Sequence, residues 1–127
     1  MKIVGIDHVQ LAMPAGAEDE ARRFYALILG VPERPKPEEL AARGGVWFES
    51  AEVKIQLGVD SDFRPAKKAH PGLLVDALAE LVIRLRRAGH EVRGDRDADR
   101  TRAYVADPFG NRLEPIEGDS PRRDARP

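Results

Sequence analysis

Two stretches of this chain share one layout. Each opens with a histidine in a short apolar run, Ile6-Asp7-His8-Val9-Gln10-Leu11-Ala12 and Ala69-His70-Pro71-Gly72-Leu73-Leu74-Val75. Each continues into a helical pattern that stops at a glycine, Gly30 or Gly89, and each closes on strand-like residues, 53–59 and 111–117. A repeat of about sixty residues in so short a chain means that one supersecondary unit, β-α-β-β-β, has been used twice. The fold class expected is therefore α+β, built from two such modules, about residues 1–60 and 67–119, within a single domain over 1–119. The polar, proline-ended tail 120–127 is expected to be disordered.

Composition sets limits on function. A chain of 127 residues can bury one sizeable core. Its 42% hydrophobic and 34% charged residues are those of a globular protein, not of a disordered one. With 21 basic and 22 acidic side chains there is no global field to attract nucleic acid. No apolar run approaches the ~20 residues that cross a bilayer, and no secretory leader pattern opens the chain. The absence of cysteine removes disulfides, thiolate metal sites and a cysteine nucleophile. The expectation is a cytoplasmic protein with a small-molecule substrate or ligand, without nucleic-acid or membrane partners.

Along the chain, residues 3–13 alternate as a strand, with Ile6, His8, Gln10 and Ala12 on one face. A helix is expected over about 18–29, with Ala21, Phe24, Tyr25 and Ile28 on its apolar side. Acidic residues occupy its first turn and Gly30 supplies its left-handed stop. Residues 32–37 read as an edge strand or extended loop because of their prolines, and 38–43 as a helical turn. Strands follow over 46–48 and 53–59, the latter with Lys54 and Gln56 on its polar face. In the second half Asp76 is the expected N-cap of a helix whose apolar side is Leu78, Leu81, Val82 and Leu85. Strands over 91–93, 102–106 and 112–116 complete the pattern, with a charged turn over 95–99 and a Pro-Gly turn at 107–111.

Four polar residues occupy equivalent places in the two units. His8 and His70, 62 residues apart, stand on the opening strands; Gln56 and Glu114, 58 apart, stand on the closing ones. Two imidazoles, a carboxylate and an amide oxygen make a divalent-metal donor set, and such a set leaves positions open for substrate. Glu114 lies in an apolar strand, so it needs a cation beside it, either a metal or an arginine such as Arg112 two residues earlier. The plainer alternative for each histidine is a structural hydrogen bonder.

These features resemble the vicinal oxygen chelate superfamily, which includes glyoxalase I, bleomycin and fosfomycin resistance proteins, extradiol dioxygenases and methylmalonyl-CoA epimerase. The resemblance is carried by Ile6-Asp7-His8-Val9, Gly44-Gly45-Val46-Trp47-Phe48, Leu57-Gly58-Val59, Ala69-His70 with Leu74-Val75-Asp76, and Asp107-Pro108-Phe109-Gly110-Asn111-Arg112-Leu113-Glu114. It spans about residues 3–117. It implies paired modules forming a cupped mixed sheet with helices on the outer face, and a metal held by His8, Gln56, His70 and Glu114. The ion would be Fe, Mn, Co, Ni or Zn. It also implies an enzyme acting on a small substrate with vicinal oxygens, by lyase, isomerase or dioxygenase chemistry, with Glu114 as the catalytic proton acceptor. The alternative is a non-catalytic, drug-binding protein of the bleomycin-resistance kind. Glyoxalase I has a glutamate where this chain has Gln56, and an amide takes no proton at neutral pH. The set looks more like that of the epimerase, and its His, His, Glu subset like the dioxygenase iron site. Family members pair modules within or between chains, and a homodimer is expected.

Among the aromatics, Trp47 and Phe109 are expected in the core. Phe48 and Tyr104 are candidates for lining a cavity, with the Tyr104 hydroxyl as a donor to substrate. Arg102 is a candidate for an anionic substrate group, and His90 is assigned no role.

Overall fold

A computed structural model describes residues 1–96 and 101–119. The chain divides into two compact units, residues 1–64 and 65–127, and each contains one four-stranded mixed sheet.

In the first unit, β1 (Val9–Met13) is followed by α1 (Glu18–Ala21), which continues over Arg22–Ile28 in wider turns. Then come β2 (Glu33–Arg34), α2 (Glu38–Ala41), β3 (Val46–Glu49) and β4 (Lys54–Val59), and the strand order is β1-β4-β3-β2. β1 runs parallel to β4, while β3 pairs antiparallel with both β4 and β2. One face of this sheet carries Met13, Val46, Phe48, Ile55 and Leu57, all buried, together with Ala21, Phe24 and Tyr25 of the helix. Phe48 stacks on Tyr25 with ring centroids 5.4 Å apart. Period-2 alternation therefore places Phe48 in the core, not in a cavity, and turns Trp47 to the opposite face, where the register sets it beside Gln56. The expected strand over 3–13 is shorter than its sequence pattern. Residues 1–8 have no ladder partner, and Ile3, Val4 and Ile6 are exposed.

The second unit repeats the plan. It consists of β5 (Gly72–Val75), α3 (Leu78–Arg87), β6 (Val92–Arg96), β7 (Thr101–Ala106) and β8 (Arg112–Glu117), in the order β5-β8-β7-β6. Leu78, Leu81 and Leu85 of α3 are buried together with Ala103, Val105 and Leu113 of the sheet. Asp76 does not cap the helix. α3 begins two residues later, and its first amide, from Leu78, donates to Glu117 Oε2 of β8 at 2.8 Å. A carboxylate from the neighbouring strand thus takes the part expected of a local one. β6 is longer than its sequence suggests because it pairs along its length with β7, from Val92↔Val105 to Arg96↔Thr101. The charged turn over 95–99 lies only in part within the described residues, and the tail 120–127 lies outside them.

The helices of the two units stop alike. Gly30 at φ +78° and Gly89 at φ +91° adopt the left-handed conformation that ends each one. Among the described residues no helix is long and apolar enough to cross a membrane.

Candidate metal centre

The direction of β8 is set by the turn before it. Asp107 Oδ1 accepts the amides of Phe109 and Asn111 at 2.9 and 2.8 Å, and its Oδ2 accepts Asn111 Nδ2 at 3.0 Å. Asn111 Oδ1 in turn accepts the amide of Ala66 at 3.0 Å, and Arg112 donates its amide to Ala66 O at 2.8 Å. With the turn fixed to the start of the unit, β8 runs parallel to β5 with Gly72 beside Glu114. The segment leading into β5 carries His70.

His70 and Glu114 meet on this face. His70 Nε2 lies 2.9 Å from Glu114 Oε1, and the glutamate side chain is only 10% exposed. The other carboxylate oxygen, Oε2, accepts Arg102 Nη1 from β7 at 3.0 Å. Sequence spacing suggested Arg112 as the arginine beside Glu114; the antiparallel β7–β8 pairing brings Arg102 instead, with Arg102 opposite Ile116. Burial pushes the Glu114 carboxyl up, but the hydrogen bonds from His70 and Arg102 outweigh it and hold the carboxyl below its ordinary range. The same ion pair raises the already high Arg102 further.

The opposite nitrogen of the imidazole decides what can lie between the pair. His70 Nδ1 is 2.8 Å from Lys68 O. A carbonyl only accepts, so Nδ1 bears the proton. Without a metal the hydrogen bond to Glu114 Oε1 needs Nε2 protonated as well, an imidazolium donating from both nitrogens. In the neutral ring Nε2 presents a lone pair, and a metal ion would have to lie between the two atoms. Metal-ligating histidines commonly donate their other ring N–H to a backbone carbonyl, as His70 Nδ1 does to Lys68 O. Two donors held by one ion at about 2.1 Å stand roughly 3–3.5 Å apart, so an ion enters between them with only a small shift from the hydrogen-bonded 2.9 Å. The residues therefore fit a divalent cation. Among the described residues no group of three His, Cys, Asp or Glu gathers in a way that could hold a metal; the pair is a two-donor corner.

Tyr104 extends the same face. The register that sets Arg102 opposite Ile116 and Ala106 opposite Arg112 puts Tyr104 beside Glu114, and its ring lies 6.2 Å from the His70 ring, edge-on. Two further arginines stack on it, Arg112 at 4.4 Å and Arg93 at 5.4 Å from its centroid. Sequence spacing did not single out Arg93. Its signal was the alternation of β6, readable only once β6 is known to pair with β7.

In the first unit Gln56 is half-buried on the polar face of β4, with Gln10 beside it on β1 and Trp47 on β3. His8 lies just before β1, and its Nδ1 is 2.9 Å from Oδ2 of the neighbouring Asp7. Asp7 also meets Lys54 Nζ at 3.4 Å. The hydrogen bond from His8, reinforced by Lys54, holds the Asp7 carboxyl down.

The glyoxalase-like domain family model matches residues 10–114. A glyoxalase family protein from Bacillus anthracis is 48% identical, with 94% of this chain and 98% of that one covered and a TM-score of 0.88. Two more distant structures share the fold. The genomically encoded fosfomycin resistance protein FosX from Listeria monocytogenes is 15% identical, over 93% of this chain and 96% of that one, at a TM-score of 0.75. Lactoylglutathione lyase from Agrobacterium tumefaciens is 20% identical, over 87% and 92%, at a TM-score of 0.65. No curated protein matches the chain.

Proposed function

Because the chain belongs to the glyoxalase-like domain family of the vicinal oxygen chelate superfamily, we propose that it is a divalent-metal-dependent enzyme. Its substrate would be a small molecule with two adjacent oxygens. The observation that supports this reading is the His70–Glu114 pair, an imidazole nitrogen and a carboxylate oxygen held 2.9 Å apart while Nδ1 is committed to Lys68 O, so that a metal ion could replace the proton between them. The proposed ligand set is His8, Gln56, His70 and Glu114, chosen because these four occupy equivalent positions in the two repeats. When bound, the ion supplies Lewis-acid stabilisation of charge developing on a chelated substrate oxygen.

The chain's own residues do the rest. Lys68 O holds the His70 ring in one tautomer. Arg102 neutralises one Glu114 oxygen and keeps the carboxyl ionised, so that Glu114 can accept a proton from substrate. Tyr104, beside Glu114 in the register, is the proposed hydroxyl donor to a substrate oxygen. Gln56 binds without exchanging protons, which leaves Glu114 as the one carboxylate of the set and separates this site from an isomerase that needs two. Among the proteins that share its fold are a fosfomycin resistance protein and a lactoylglutathione lyase. The protein is further proposed to act in the cytoplasm as a homodimer.

The test is thermal stabilisation of stripped protein by Mn, Fe(II), Co, Ni and Zn, beside planar aromatic antibiotics such as bleomycin. A rise in Tm with metal is the expected result. A rise with antibiotic alone would replace the enzyme by a ligand-sequestering protein.

A further inference from the structure

The arginines of this protein are not treated alike. Arg22 is matched by Asp19 and Glu33, Arg34 by Glu49, and Arg102 by Glu114. Arg93 and Arg112 are different. Both guanidinium groups lie against the single ring of Tyr104, and among the described residues neither is paired with a carboxylate. Two like charges gathered on one ring repel each other, and the cation–π attraction of each to the ring offsets this only in part. A guanidinium laid against a ring keeps its planar fork of N–H donors along its edge, free to grip an oxyanion with two parallel hydrogen bonds. The phenol adds a further donor. Glu114, the carboxylate beside this group among the described residues, has both oxygens occupied, by His70 and by Arg102.

We infer that Arg93, Arg112 and Tyr104 form an oxyanion subsite, and that the substrate of this enzyme carries a carboxylate or phosph(on)ate in addition to its metal-chelating oxygens. The inference rests on the reading of His70 and Glu114 as the reactive end of the site. Placement supports it: Arg93, Tyr104 and Glu114 lie across three adjacent strands on one face, and Arg112 stands two residues from Glu114 on the same strand. Neighbouring strands are about 4.8 Å apart and alternate residues of a strand about 7 Å. The anion therefore sits roughly 5–10 Å from the His70–Glu114 pair, a span of a few bonds. That selects compact substrates with the charge close to the reacting centre and disfavours large neutral ones.

The experiment uses the full chain stripped of metal, so that anion binding is read separately from metal binding. Inorganic phosphate and acetate are titrated in parallel against sodium chloride at matched ionic strength, following Tm and the arginine Nε–H resonances. Saturable shifts of arginine resonances with a rise in Tm beyond the chloride control are expected, and the tighter of the two probes identifies the class of anion. Arg93→Gln should weaken the binding at least fivefold, Arg112→Gln likewise, and Arg112→Lys should restore part of it. Arg93 is exposed, so its variant tests the idea even if Arg112→Gln fails to fold. A response no different from chloride, or an unchanged affinity in Arg93→Gln, would overturn the inference. If metal binding fails while anion saturation persists, the metal reading falls and the subsite stands; the reverse result removes the subsite alone.

Discussion

The two units share strand order and pairing but not their polar faces. In the second unit His70, Glu114 and Arg102 form a chain in which both imidazole nitrogens and both carboxylate oxygens have partners. In the first, the equivalent Gln56 lies beside Gln10 and Trp47, and the equivalent His8 precedes the strand and pairs with its exposed neighbour Asp7. A duplicated fold thus keeps its core pattern while the polar face of one copy carries a buried ion pair and that of the other carries Gln10, Gln56 and Trp47. What is duplicated is the scaffold.

The largest test of that asymmetry is truncation of the two closing-strand residues. Glu114→Ala leaves the Arg102 guanidinium and the His70 imidazole facing a void in a largely buried setting, a loss of about 2 kcal/mol. Gln56→Ala removes no ion pair and should cost less than about 1 kcal/mol. Urea unfolding of the stripped protein measures both, and equal losses would erase the distinction.

Acid sharpens the same contrast. Burial raises the Glu114 carboxyl, but the hydrogen bonds from His70 and Arg102 win and leave it below its ordinary value of 4.5. A carboxyl depressed in the folded state contributes stability that is complete above its unfolded value and is lost as pH falls through the folded one. The urea midpoint of stripped protein should therefore drop as pH is lowered from about 4.5, and Glu114→Gln should remove that part of the drop. Asp7, also held down by its hydrogen bond from His8, is 74% exposed and screened by solvent. Asp7→Asn should leave the acid limb where it is, and a shift as large as that of Glu114→Gln would contradict the account.

The smallest effect tests the shared scaffold. Ala at Gly30 or Gly89 meets no atom within 4 Å, so only the left-handed backbone resists it, at about 1 kcal/mol each. Equal costs in the two variants are expected; a large difference in their unfolding midpoints would show that the helix stops are not equivalent.

How far these features can be read from sequence follows the same division. The repeat, the α+β class and the helix face of Ala21, Phe24 and Tyr25 were legible because they depend on local periodicity. So was the polar face of β4, which follows from alternation alone. What depended on pairing between strands was not. Arg102, not Arg112, reaches Glu114, because residues twelve apart become neighbours only through the β7–β8 hairpin. Glu117 accepts the first α3 amide from another strand, which no pattern around Asp76 could show. Arg93 was only the end of a short expected strand until its pairing with Tyr104 set it on the face of Glu114. Residues 3–8 alternate like a strand but have no ladder partner, since alternation supplies a face and not a neighbour.

The ligand set proposed for the metal is His8, Gln56, His70 and Glu114. The most direct measurement is calorimetric titration of stripped protein with Mn, Fe(II), Co, Ni and Zn, run on wild type, His8→Ala and His70→Ala. The account predicts one ion per chain for the preferred metal, with affinity falling at least tenfold in both variants. It also predicts that Tm of the stripped protein is unmoved by His8→Ala, whose side chain is exposed. An ion bound as tightly without His8 as with it, or no ion bound by the wild type, would contradict it.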